Sequence, residues 1–165
     1  MTRYSTKPLS ERLGLKHGQR LYFEGAPLIY LDALGPAPSG VRFLEKPDGP
    51  IDFIHLFVRT RQELAERVPQ LAKQLSPRGK LWVSWPRQRM LSGSDIADDD
   101  IREIGVLCGL SGVKSCDIND AWIGQQFVYP RRGRPRSTGY AAAREPQTEK
   151  KPERRSNLLA SGAYY

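Results

Sequence analysis

The run Ile51-Asp52-Phe53-Ile54-His55-Leu56-Phe57-Val58 constrains the fold of this chain more than any other stretch. A strand with one face in water alternates apolar and polar residues. A near-continuous apolar run instead marks a strand covered on both faces, as central strands of parallel α/β sheets are. The residues that follow fit that context. Thr60 and Glu63 have the spacing of a capping box, and Leu64, Val68, Leu71 and Leu75 recur at i, i+4, i+7 and i+11, one face of a helix. Pro77-Arg78-Gly79 then turns the chain into a further strand over residues 80–85.

The same alternation extends to both sides. A short helical segment over 8–13 precedes a strand over 20–24, which stops at Gly25-Ala26-Pro27. A short helix over 28–34 follows, with Pro27 at its first turn, where a missing N–H costs nothing. The stretch 35–40 is a loop by composition, and residues 41–45 form a second strand that Pro47-Asp48-Gly49-Pro50 ends. Beyond the polar loop 86–94, the pattern predicts a helix near 98–110 whose acidic start suits the helix dipole. Strands over 113–118 and 122–129, joined through Asn119-Asp120, read as a hairpin. The fold class is therefore α/β: a shortened doubly wound, mostly parallel sheet with right-handed crossovers and an antiparallel closing hairpin.

Charge divides the chain at the same place as hydropathy. Residues 1–129 carry 17 Lys/Arg against 15 Asp/Glu, a net +2, whereas residues 130–165 carry nine against three, a net +6. Past Pro130 no apolar periodicity survives, and such a composition cannot bury enough surface to offset its ordering entropy. The expectation is one α/β domain over 1–129 and a basic, disordered tail over 130–165. No run approaches the roughly 20 apolar residues of a membrane span, so no membrane partner is expected. Met1-Thr2-Arg3-Tyr4-Ser5-Thr6-Lys7-Pro8 lacks an apolar h-region, and Cys108 and Cys116 lack the close spacing of a metal or redox site. The expected location is cytoplasmic, with reduced thiols and no metal.

Leu21-Tyr22-Phe23-Glu24-Gly25, the apolar strand, Leu75-Ser76-Pro77-Arg78-Gly79-Lys80-Leu81-Trp82-Val83-Ser84 and the closing hairpin occur in an order that resembles a class I S-adenosylmethionine-dependent methyltransferase with one strand–helix unit removed. Tyr4-Ser5, Gly35-Pro36-Ala37-Pro38, Asp52-Phe53-Ile54-His55-Leu56-Phe57-Val58 and Trp82-Val83-Ser84-Trp85-Pro86 further resemble a family of small bacterial proteins of unknown function with that fold. The methyltransferase resemblance implies a nucleoside site built from Glu24 and Gly25 after the first strand and Glu45 ending the second. Glu45 follows Glu24 by 21 positions, near the spacing of nucleotide-binding α/β units of roughly 20 residues. The glycine pattern departs from that family: Gly25-Ala26-Pro27-Leu28 has one glycine, and Pro27 removes a backbone donor. No cofactor is therefore expected, with S-adenosylmethionine as the alternative.

Several residues that carry chemistry read as structural. Asp52 and His55 lie three apart on one strand, so they face opposite sides of the sheet and cannot pair; a hydrogen-bonded core histidine is the expected role of His55. His17 reads as a turn residue. Trp82 and Trp85 also face opposite sides. Trp85 ends a parallel strand, where open α/β sheets bind ligands, and is a candidate pocket wall. Asp98-Asp99-Asp100 reads as a dipole-matched helix start, because consecutive helical residues face apart. No catalytic residue is assigned.

The tail holds Pro130-Arg131-Arg132-Gly133-Arg134-Pro135-Arg136. Its Arg132-Gly133-Arg134-Pro135 resembles the centre of an AT-hook, with Arg131 intervening where that motif places proline. The resemblance implies minor-groove contact: glycine lets extended backbone lie on the groove floor, and narrow, electronegative AT-rich grooves favour inserted arginine. Nucleic acid, with AT-rich DNA as the specific case, is the expected partner of Arg131, Arg132, Gly133, Arg134, Pro135 and Arg136. The function expected is a non-catalytic or weakly ligand-binding methyltransferase-like domain with a nucleic-acid-contacting tail. The alternatives are a small S-adenosylmethionine-dependent methyltransferase and an adaptor with a protein partner.

Overall fold

The computed structural model describes residues 6–87 and 93–130. Its elements are α1 (Leu9–Leu13), β1 (Arg20–Glu24), α2 (Tyr30–Leu34), β2 (Arg42–Phe43), β3 (Ile51–Phe57), α3 (Arg61–Gln74), β4 (Leu75–Pro86), α4 (Asp98–Leu107), β5 (Ser111–Asp117) and β6 (Trp122–Val128). The strands form one six-stranded sheet in the order β2-β1-β3-β4-β6-β5. The first four in that order run parallel; β6 is antiparallel to β4, and β5 to β6. This is the doubly wound α/β sheet with an antiparallel closing hairpin that the sequence pattern predicts.

The apolar run forms β3, between β1 and β4, and feeds a core on each side. Ile54, Leu56 and Val58 pack with Leu64, Val68 and Leu71 of α3 and with Ile101 and Ile104 of α4. Phe53 and Phe57 face the other way, onto Leu9 and Leu13 of α1, Tyr30 and Leu34 of α2, and Trp82 and Trp122. The capping box of α3 is present: the Glu63 N–H donates to Thr60 Oγ1 at 3.1 Å, and the Thr60 N–H donates to Glu63 Oε1 at 3.2 Å. Asn119 closes the hairpin, its Oδ1 accepting the N–H groups of Ala121 and Trp122.

Four local expectations change. The second strand shrinks from 41–45 to Arg42–Phe43, both exposed, because an edge strand pairs on one side and gains little burial. The helix expected from Leu28 begins at Tyr30, whose N–H donates to the Pro27 carbonyl at 3.0 Å; Leu28 is left 99% exposed. Pro77-Arg78-Gly79 is a bulge inside β4 and not a turn before it: Leu75 pairs with Ile51 and Lys80 with Phe53, so four residues oppose Asp52 alone. The fourth helix stops at Leu107, since Gly109 takes a left-handed φ of 77° and turns the chain towards β5. No helix among the described residues is long and apolar enough to cross a membrane.

Candidate functional site

The carboxyl ends of parallel strands are where an open α/β sheet binds ligands, and β1 brings Glu24 there. Its carboxylate is already engaged. Arg67, on α3, donates from Nε to Oε2 at 2.6 Å and from Nη2 to Oε1 at 2.8 Å, a two-point fork. The Tyr22 hydroxyl donates to Oε1 at 2.8 Å. Partial burial works against the Glu24 charge, yet the hydrogen bonds from Arg67 and Tyr22 and the Arg67 charge outweigh it. The carboxyl sits below its ordinary range. Burial, and then the hydrogen bond to the Glu24 carboxylate, push the Tyr22 hydroxyl up to about 12. Arg67 is fixed in turn by the Gln70 side chain, to which its Nη1 donates.

The next residue, Gly25, has a φ of 73°. A Cβ at this position would stand 2.7 Å from the Phe57 carbonyl oxygen. The glycine is thus required by the close approach of β1 to the end of β3, whether or not a ligand is present. Trp85 is 6% exposed and belongs to the core cluster that includes Val58, Ile96 and Ile101, so it is a core side chain and not an open pocket wall. Glu45 is exposed just beyond β2. Of the three candidate nucleoside-binding side chains, Glu24, Glu45 and Trp85, Glu45 alone remains open to a ligand.

His55 lies at the middle of β3 with no exposed surface. Its Nδ1 is 2.7 Å from the Tyr30 hydroxyl and its Nε2 is 2.7 Å from Ser84 Oγ. The ring stacks on Phe57, with centroids 4.1 Å apart. Burial lowers its pKa to about 3, so the imidazole is neutral and sealed beneath α2. The core histidine is as expected. Asp52 does not meet it, because its Oδ2 accepts the Arg20 N–H at 2.8 Å. His17 is exposed, with Nδ1 2.9 Å from Ser39 Oγ.

The aspartates open α4 as its charge pattern suggests. Asp100 Oδ2 accepts the Ala97 N–H at 2.9 Å and lies 3.5 Å from Arg61 Nε, while Asp99 pairs with Arg102. Among the described residues no group of three or more His, Cys, Asp or Glu side chains is placed to hold a metal ion.

The fold matches solved structures. A ribosomal protein L11 methylase from Lactobacillus delbrueckii subsp. bulgaricus aligns with a TM-score of 0.50 at 14% identity, over 74% of this chain and 75% of that one. The fold is methyltransferase-like. A magnesium protoporphyrin IX methyltransferase with bound S-adenosylmethionine, from Synechocystis PCC 6803, aligns with a TM-score of 0.49 at 13% identity, over 74% of each chain. No protein-family model and no curated protein matches the chain. At these identities the similarity establishes the fold alone.

Two partners of the site escape a strand-by-strand reading of the sequence. Arg67 lies three residues after Leu64 and four before Leu71, so it belongs to the inner stripe of α3; a charge on an apolar stripe is the signal that it has an internal partner. Tyr30 had only its helical position to mark it, although it supplies the hydroxyl that meets His55. The AT-hook-like residues Arg131, Arg132, Gly133, Arg134, Pro135 and Arg136 lie outside the described residues.

Proposed function

We propose that this chain is a non-catalytic or weakly ligand-binding methyltransferase-like protein, of the small bacterial family its motifs resemble, that contacts nucleic acid through its basic segment 130–165. The engaged carboxylate of Glu24 carries the first half of this reading. A cofactor held there would have to displace Arg67 from a forked, partly buried ion pair, the strongest class of charge-assisted hydrogen bonding. A Cβ at Gly25 would meet the Phe57 carbonyl and Trp85 is a buried core residue, which supports a strand end that does not hold a nucleoside in the usual way. The +6 of residues 130–165 and the Arg132-Gly133-Arg134-Pro135 motif support the second half, since phosphate attraction needs only clustered cations.

Gel-shift titration against AT-rich and GC-rich duplexes tests the nucleic-acid half, using the full chain and a chain ending at Tyr129. The full chain is expected to bind, more tightly to AT-rich DNA, and the shortened chain to bind much more weakly. Binding unaffected by truncation, or absent even at low salt, refutes it. A second reading, an S-adenosylmethionine-dependent methyltransferase, is favoured by the fold and by the open carboxylate of Glu45. Calorimetry with S-adenosylmethionine and with its demethylated product separates the two: micromolar binding supports the enzyme, and no heat with no thermal shift supports the scaffold.

A further inference from the structure

The face of the sheet that carries α1 holds a concentration of positive charge. The carboxyl end of α1 leaves three consecutive carbonyls without helical partners, and each finds a donor from the sheet. Lys114 Nζ donates to Arg12 O at 3.3 Å, Trp82 Nε1 to Leu13 O at 2.9 Å, and Lys80 Nζ to Gly14 O at 3.3 Å. Lys114 and Trp82 stand level across the sheet, both opposite Gln126 of β6. Lys16 lies three residues after the end of α1 and is exposed. Lys80 and Lys114 meet at nearby carbonyls of that helix end, and partial burial, then the charges of Lys16 and Lys114, lower the Lys80 pKa.

Capping a helix end accounts for part of this arrangement, since cations are favourable at a helix carboxyl terminus. It does not account for all of it. A carbonyl needs one donor, whereas each ammonium carries three, so Lys80 and Lys114 retain N–H groups beyond the cap. Lys16 caps nothing among the described residues. None of the three is ion-paired there. Arg12 adds a fourth cation, its Nη1 tied to the Asp117 carbonyl at 2.9 Å and to Cys116 Sγ at 3.4 Å, neither of which neutralises it. The neighbouring Asp117 carboxylate is paired with Arg87 at 2.6 Å, so the cluster keeps an excess of positive charge that a bound polyanion would offset.

Resting on the nucleic-acid reading, we propose that Lys16, Lys80 and Lys114 form a phosphate-binding cradle, a contact for the phosphodiester backbone of DNA or RNA additional to the tail. Lys80 stands on β4 and Lys114 on β5, with β6 between them, so the cations are set across three strands, an arrangement suited to a phosphodiester backbone. A single short arginine motif binds weakly. A second contact on the same chain raises its effective concentration to about the millimolar range and multiplies the affinity accordingly.

The test uses the full-length chain, with a short AT-rich duplex and an RNA hairpin as probes, read by fluorescence anisotropy over a series of salt concentrations. Lys16→Gln/Lys114→Gln is compared with Lys46→Gln/Lys73→Gln, which removes the same charge from exposed positions elsewhere. Each phosphate contact contributes a slope of about −0.9 in log K against log salt for duplex DNA. The cradle variant is expected to lose about two contacts' worth of slope and about tenfold in affinity, while the control keeps both. Whichever probe shows the larger loss identifies the nucleic acid. Lys16→Gln alone removes no described hydrogen bond, so it leaves the fold intact and should lose about one contact's slope. Equal losses in the cradle variant and the control reduce the effect to net charge and overturn the proposal. No loss in the cradle variant, with binding abolished by replacing Arg131, Arg132, Arg134 and Arg136 with Gln, overturns the cradle and leaves the tail reading standing. A full chain that binds neither probe at low salt overturns both.

Discussion

Replacing Arg67 by methionine tests the central feature of the strand-end site. The substitution keeps an unbranched apolar stem on the helix face of Leu64, Val68 and Leu71, but removes the fork. Glu24 then keeps the Tyr22 hydroxyl and loses both charge-assisted bonds. The side chains of Arg67 and Glu24 are 29% and 24% exposed, between the surface limit, where ion pairs contribute about 0–1 kcal/mol, and the buried limit, where losing one partner costs about 3–5 kcal/mol. A cost of about 2 kcal/mol follows, or roughly 6–10 °C in Tm for a domain of this size. A double-mutant cycle with Glu24→Gln isolates the pair and should return a coupling of about 1.5 kcal/mol. The pH dependence has a definite sign. The folded Glu24 pKa is depressed, so its contribution is complete above the unfolded carboxyl pKa of about 4.3 and is lost as pH falls through the lower folded value. Thermal melts of wild type and Arg67→Met should therefore converge in acid and separate towards neutrality. A coupling below about 0.5 kcal/mol, or a gap in Tm that ignores pH, would show that the pair is only a surface contact. A binding heat for S-adenosylmethionine in the wild type that Glu24→Gln removes would refute the claim that this carboxylate is occupied.

Three further outcomes follow from the same geometry. Tyr30→Phe strands the Nδ1 of His55 in the core and should cost about 1–3 kcal/mol in denaturant unfolding; a neutral result means water or another donor reaches that nitrogen. Because burial lowers the His55 pKa to about 3, the unfolded chain takes up a proton that the folded chain refuses. His55 should thus lower stability as pH falls from about 6.5 towards 3, by at most about 1.4 kcal/mol per pH unit, and replacing His55 with Gln should remove that component of the slope. Gly105→Ala, which in an exposed helix would stabilise by about 1 kcal/mol, should here destabilise by about 1–3 kcal/mol, because its Cβ would strike the Phe127 ring; a raised Tm would show that Phe127 can move aside.

The parts of the molecule that were legible in the sequence are those where one physical rule acts alone. The run forming β3 announces two-sided burial without help from the rest of the chain. Thr60 and Glu63 define a helix start at fixed spacing. The turn at Asn119 needs only its own side chain and two neighbouring N–H groups. What was not legible depends on residues far apart in the chain meeting in space. Pro77-Arg78-Gly79 has the composition of a turn, and only the position of Ile51 and Phe53 on the neighbouring strand makes it a bulge. Gly25 fits a nucleotide-binding turn in one dimension, but 32 residues later Phe57 brings a carbonyl against it.

Glu24 makes the same point about function. An acid at the end of a first strand, followed by glycine, is what the methyltransferase resemblance leads one to expect of a nucleoside site, and here it stands at the expected end of the sheet. Whether it acts on a ligand depends on what else reaches it, and that is decided 43 residues later on α3, where Arg67 interrupts an apolar stripe. The cost of the arrangement shows why it is more than incidental. An arginine on the inner face of a helix gives up hydration and about 2 kcal/mol of rotamer freedom, and it is tolerated only because the Glu24 carboxylate receives it with two bonds. Each member thus requires the other. A chain that needed Glu24 for a cofactor would gain from an apolar residue at position 67, which packs against Leu64 and Leu71 and leaves the carboxylate free. The presence of arginine there supports the proposal that this strand end serves the scaffold, and directs the tests to Glu45, to the lysines around α1 and to the basic segment after β6.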